Sequence, residues 1–339
     1  MEYTAVSALV LQGGGALGAY EYGAARALYE RDDFRPGVIA GVSIGAITAV
    51  LLARPAAGLK PLDALKAFWE KVTVLGLLFP PGLRLYASLF GNRNFFVPRL
   101  DYFNWLTWTY FYETTPLRQT LAQLVDLDRL ADKHATPGLL ASATDIAEGQ
   151  IDYFYSGDNG LTLDHILASA SLPPAFPMTA IDSHSYWDGG LFDNTPLGAV
   201  LDRLNKTAGV DRTIYVVNLF PNKGLIPRNL FEVSSRMKNL QFANKTLEDV
   251  KMLGRFNEVA ELMEALEKLP GGNPLLGNPA YETIKKRGYV RVPRIVSITP
   301  PTEVDQFDDS DFSLEAMRAR EEKGYAETKK VLNENNLCA

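Results

Sequence analysis

The chain has 339 residues, about twice a typical domain, and its 47% hydrophobic and 22% charged content excludes a disordered protein. A formal charge of −6 excludes general affinity for nucleic acid or anionic membranes, which need dense Lys/Arg patches. The single cysteine, Cys338, rules out an intrachain disulfide or a thiol metal cluster and points to a reducing, cytoplasmic compartment.

In chain order, Met1-Glu2-Tyr3 lacks the basic start of a secretory signal, and the apolar run that follows breaks at Gly13 to Gly15. Tyr3 to Leu11 reads as a buried strand, Gly13-Gly14-Gly15 as a tight loop and Ala16 to Arg31 as a helix. Pro36 to Ala53 has no charge over 18 residues, the length of a membrane span. Its glycines, its proline and Ser43 favour instead a strand (Val38 to Val42), a turn (Gly41 to Gly45) and a buried helix from Ala46 to Ala53. Further strands are expected at Gly138 to Thr144, Thr213 to Phe220 and Arg294 to Thr299. Helices are expected at Leu197 to Asn205, with Pro196 in the first turn, at Phe231 to Leu269, and at Ser313 to Asn333 with Ser310 or Asp311 as cap. This alternation predicts an α/β fold, a largely parallel sheet with helices on both faces, and the segment 55–116 interrupts it. Pro270 to Pro279 is the one linker-like stretch.

Three motifs carry chemistry. Gly13-Gly14-Gly15-Ala16-Leu17-Gly18 fits G-x-G-x-x-G between a strand and a helix, where exposed N–H groups can cradle a phosphate or an oxyanion. A dinucleotide site also wants an acidic residue at the end of the next strand, which here ends in Gly41-Val42-Ser43. Gly41-Val42-Ser43-Ile44-Gly45 is G-x-S-x-G on a strand-to-helix turn, which lifts a serine hydroxyl above a sheet; an ordinary turn serine is the alternative. Such a serine needs a base, and His134, His165 and His184 are the only histidines. The early serine argues against the α/β-hydrolase order of serine, acid and histidine. Tyr186-Trp187-Asp188-Gly189-Gly190 ends a strand at an aspartate that a tight turn could aim at the serine, although Asp-Gly also suits a plain hairpin.

These three motifs, in this order, resemble the patatin-like phospholipases, with Ser169 to Pro177 and Asp193 to Leu197 similar to segments flanking the family's aspartate. The resemblance spans about Ala5 to Pro221, omitting 55–116, and Gly18-Ala19-Tyr20 looks most like bacterial members. It implies a three-layer fold, a Ser43–Asp188 dyad, and an oxyanion hole from the N–H groups of Gly13, Gly14, Gly15 and Ala16. Gly18, Gly41, Gly45, Gly189 and Gly190 complete the motifs. It also implies a catalytic domain over 1–225 with an aromatic-rich helical cap at 55–116, and a mostly helical extension over 226–339 completing the sheet. Ser235 to Thr246 resembles an extension found in some members. Many members carry a basic residue after the glycines; here Ala16 and Leu17 stand there.

The expected activity is hydrolysis of lipid carboxylic esters through an acyl-enzyme, without metal or cofactor. The alternatives are a nucleotide-binding protein using the glycine loop and a non-catalytic lipid-binding module. From Phe95 to Tyr112, nine of 18 residues are aromatic, Trp105 and Trp108 among them, which suits a cap core, a contact between copies or peripheral membrane contact.

Overall fold

The computed structural model describes residues 6–74, 91–204, 210, 212–287, 291–303 and 308–335, so the expectations on Tyr3 to Ala5 and Cys338 lie outside it. The first strand, β1 (Ser7–Leu11), is apolar on both sides. Leu9 and Leu11 enter one core with the helices Ala19–Tyr29, Ile44–Ala53 and Pro61–Val72. Ala8 and Val10 enter a second core with the helix Leu197–Leu201 and Leu253. A strand covered on both faces needs such a continuous apolar run, and two cores make three layers.

The other strands are β2 (Val38–Gly41), β3 (Val97–Pro98), β4 (Tyr112–Glu113), β5 (Gly138–Asp145), β6 (Gln150–Tyr155), β7 (Thr179–Ile181), β8 (His184–Asp188), β9 (Thr213–Val217) and β10 (Arg294–Ile298). Strands β10, β9, β1, β2 and β5 pair parallel in that order, and β6, β7 and β8 add antiparallel pairing. Strand β6 lines one edge of β5. The other edge is shared: β2 occupies it up to Gly41↔Ala141, and β8 arrives from the opposite direction to end at Ala143↔Asp188. The C-terminal ends of β2 and β8 therefore meet head to head across a single residue of β5, Ser142.

Several expected boundaries move. The turn Gly15–Gly18 is a 3-10 helix before Ala19–Tyr29, because Gly15 takes φ +55°, outside the α-helical range. The second helix begins at Ile44, immediately after Ser43. Pro196 is the cap residue of Leu197–Leu201 and not its first helical position. The long helix runs Leu230–Glu267 and is capped by Asn229, whose side chain accepts the Glu232 N–H. Ser313 caps the C-terminal helix Leu314–Glu334 by accepting the Ala316 N–H, and Ser310 lies in a preceding 3-10 turn. That helix crosses Ala19–Tyr29 so closely that a Cβ on Gly23 or Gly324 would strike backbone.

The segment 55–116 is only partly helical. Among the described residues of 55–116, the α-helices are Pro61–Val72, packed into the main core, and the start of Thr115–Leu124. The aromatic stretch is the β3–β4 pair around a 3-10 turn, Tyr102–Thr107, with no buried residue. Among the described residues, no helix is long and apolar enough to cross a membrane.

Candidate active site

Leu11 pairs with Gly41, so the glycine loop and Ser43 leave neighbouring strands at the same height. Glycines let the two turns interlock. A Cβ on Gly41 would lie 2.1 Å from the Gly45 carbonyl oxygen, one on Gly45 2.5 Å from that of Leu11, and one on Gly13 3.1 Å from Ser43 Cβ. Ser43 sits at φ 57°, ψ −124°, a strained conformation for a residue with a side chain, and caps a helix buried along its whole length. Its amide donates to Ser169 Oγ at 3.0 Å.

Asp188 ends β8 and is 2% exposed. Its amide donates to the Ser171 carbonyl at 3.0 Å, and its own carbonyl accepts from Thr144 Oγ1 at 2.9 Å. Instead of a hairpin, it opens the 3-10 turn Gly189–Leu191, and its Oδ1 accepts the Gly190 N–H at 2.7 Å. A Cβ on Gly189 would meet the Ser142 carbonyl oxygen at 2.5 Å, and one on Gly190 would meet Asn194 Oδ1 at 2.8 Å. Burial pushes the Asp188 carboxyl up to about 7; the Ser43 hydroxyl and the Gly190 N–H oppose the rise as hydrogen-bond donors. Oδ2 is buried with no hydrogen bond of full geometry among the described residues.

The proposed oxyanion donors separate into two pairs. The Gly13 N–H is taken by the Asn194 carbonyl at 3.3 Å, and the Gly13 carbonyl accepts Asn194 Nδ2 at 3.0 Å. Ala16 is fully buried and off the cavity wall. Gly13 lines the cavity with its N–H engaged, and Ala16 lies behind the wall. Gly14 and Gly15 line the cavity, and their N–H groups have no partner among the described residues. Gly18 packs on the helix after Ser43: a Cβ there would meet Ile44 Cγ1 at 2.5 Å.

Ser43, Asp188, Gly14 and Gly15 face a cavity of about 360 Å³. Its walls are mainly apolar, with Ile44, Ile47, Phe95, Phe96, Phe176, Phe220, Phe242 and Phe312 among them, a lining suited to an acyl chain. No histidine lines it: His165 caps the helix Leu163–Ser169, and His184 pairs with Asp145 at 2.5 Å.

Three supporting residues were not singled out from sequence. Ser169 and Asn194 lie inside the two segments whose resemblance was noted, but their bonds span 126 and 181 positions. Gln12 is fully buried, accepts the Leu219 and Phe220 N–H groups, and donates to Thr195 Oγ1 and the Phe242 carbonyl. A glutamine ending an apolar strand just before a glycine turn is the sequence signal for such a clamp.

A strained serine and a buried carboxyl share one cavity at the end of a mostly parallel sheet, and the fold is that of an α/β protein. The family model of patatin-like phospholipases matches residues 9–201, more than half of the chain, and the chain belongs to that family. Patatin-like phospholipases act on lipid substrates. Among solved structures the chain is similar to VipD from Legionella pneumophila, at 15% identity and TM-score 0.42 over 98% of this chain and 67% of that one. It is also similar to the type III effector protein ExoU, at 13% identity and TM-score 0.33 over 98% of this chain and 54% of that one. The chain thus spans about half the length of ExoU. No curated protein matches it.

Proposed function

We propose that the chain hydrolyses carboxylic esters of lipids with Ser43 as nucleophile and Asp188 as base. The observation that carries this reading is a buried carboxyl beside a strained serine at the floor of an apolar cavity. Asp188 takes the Ser43 proton as Oγ bonds to the ester carbon, and the carbonyl π electrons move onto oxygen, facing the Gly14 and Gly15 N–H groups. The positive end of the helix Ile44–Ala53 supports the same charge. Collapse expels the alcohol, which leaves with the proton from Asp188. Water then attacks the acyl-serine, gives its proton to Asp188, and the fatty acid departs as Ser43 recovers a proton.

A carboxylate near its ordinary value is a weak base for a hydroxyl. Raising Asp188 from 3.8 to about 7 narrows that gap by about 4 kcal/mol. Dryness is thus part of the chemistry, and an acyl chain filling the cavity preserves it.

Peripheral membrane contact belongs to the same reading. Phe103 is 102% exposed, Leu106 80% and Trp105 65%. The strand after them is tied to the cavity wall, since the Tyr112 N–H donates to the Ala175 carbonyl at 2.9 Å and both residues line the cavity. Trp108 is different: it is half-buried, with the Arg99 guanidinium 4.7 Å from its ring centre. The anchor would be apolar, in keeping with the net negative charge.

The test is hydrolysis of a soluble p-nitrophenyl ester. Ser43→Ala lowers kcat by roughly 10⁴-fold or more, and Asp188→Asn by roughly 10²- to 10⁴-fold, both with the wild-type fold by circular dichroism. Turnover near wild type in either variant rejects the dyad.

A further inference from the structure

The apolar walls explain where an acyl chain fits, but they leave one cation unexplained. Among the described residues lining the cavity, Lys238 is the one lysine or arginine. It comes from the long helix Leu230–Glu267, four positions before Phe242, which lines the same cavity. Gln12, at the base of the glycine loop, holds that turn of the helix through the Phe242 carbonyl at 3.1 Å.

Lys238 Nζ pairs with the carboxylate of Asp309, which lines the same cavity, and the two side chains are 23% and 25% exposed. Asp309 belongs to a strap, residues 308–312, that lies over the glycine loop. Its carbonyl oxygen is where a Cβ on Gly15 would meet it at 2.4 Å, and Phe312 stacks on Trp69. Arg320 fixes the strap, donating to the Asp311 carbonyl at 2.6 Å and pairing with Asp308 at 3.3 Å. The ammonium is therefore held at the wall of the cavity that Gly14 and Gly15 also line, by a partly exposed carboxylate that another anion can replace. Ala16 and Leu17, directly after the glycines, are buried and bring no charge to the loop.

We propose that Lys238 is the contact for a phosphate on the substrate: the phosphodiester of a glycerophospholipid head group displaces the Asp309 carboxylate from Lys238 while the acyl ester lies over Ser43. This rests on the hydrolase reading above and adds to it the residue that reads the head group. Exchanging one anion for another at a partly hydrated ammonium costs little, so the contact confers preference for phosphate-bearing lipids over neutral ones. In the free enzyme Asp309 keeps the cation from lying unpaired beside an apolar cavity.

The experiment compares phosphatidylcholine with diacylglycerol of the same acyl chains in the same mixed micelles. Lys238→Met lowers the ratio of their kcat/KM values about tenfold, mainly through KM for the phospholipid, and Lys238→Arg restores most of it. Asp309→Asn, which removes the competing carboxylate, raises the ratio. An unchanged ratio in Lys238→Met, or an equal loss on both lipids, overturns the assignment and leaves the pair as a latch for the strap. Inorganic phosphate separates the two sources of the anion: inhibition of diacylglycerol hydrolysis that is lost in Lys238→Met would assign the site to free phosphate and overturn the head-group role. Turnover of either lipid by the wild type bears on the hydrolase reading, so a failure there is distinct from a failure of the ratio.

Discussion

The floor and the roof of the cavity are built in different ways. The floor is made of strand ends: Gly13 to Gly15 after β1, Ser43 after β2 and Asp188 at the end of β8. Its members are set by backbone contacts so close that Gly41, Gly45 and Gly189 have carbonyl oxygens where a Cβ would be. The roof is assembled from Phe95 and Phe96, the strap 308–312 and one face of the long helix, which meet mainly through side chains. A floor of interlocked backbone can hold one reaction geometry, whereas a roof of side chains can be altered piece by piece. The comparison assigns the chemistry to the first and the choice and delivery of substrate to the second.

The sharpest way to break this division is at Asp188. Its folded-state carboxyl titrates near 7, against 3.8 for the free group. The unfolded chain therefore gives up that proton near pH 4 while the folded chain keeps it, and stability falls as pH rises between these values. Above pH 7 the ionised, buried carboxylate costs about 4 kcal/mol. Asp188→Asn should thus lose most of its turnover and, in urea titration at pH 8, be more stable by up to about that amount, with the gain vanishing at pH 4. A variant that loses stability at pH 8 would show that the carboxylate supports the fold and is not held there at a cost.

A smaller effect sharpens the roof. Phe103→Ala with Trp105→Ala should weaken flotation with phosphatidylcholine vesicles by about tenfold or more, each ring contributing on the order of 1 kcal/mol at the interface. Soluble-ester turnover should stay within about twofold, because neither residue lines the cavity. Undiminished flotation removes the exposed rings from lipid contact.

What could be read from sequence follows the same line between floor and roof. Runs such as Val38 to Val42, closed by glycines, show a buried strand and its turn directly, and each floor motif is contiguous. Strand β6 escaped because Gln150–Tyr155 is half-exposed and Asp152 breaks its apolar pattern. The use of the Gly13 amide escaped because its partner, Asn194, lies 181 positions away. Trp105 and Trp108 look alike in the sequence, yet only Trp108 has Arg99 against its ring. Lys238 is one of many charges along the long helix, and the packing of Phe242 onto Phe220 with the Gln12 bond to the Phe242 carbonyl brings that turn to the cavity.

The central claim is that a buried, proton-hungry carboxyl activates Ser43. The rate of covalent labelling by a fluorophosphonate, followed from pH 5 to 9 with mass spectrometry of the adduct, tests it most directly. The account predicts an adduct on Ser43 whose rate of formation rises through about pH 7 and is lost in Asp188→Asn. An adduct on another residue, or equal labelling of wild type and Asp188→Asn across that range, would contradict it.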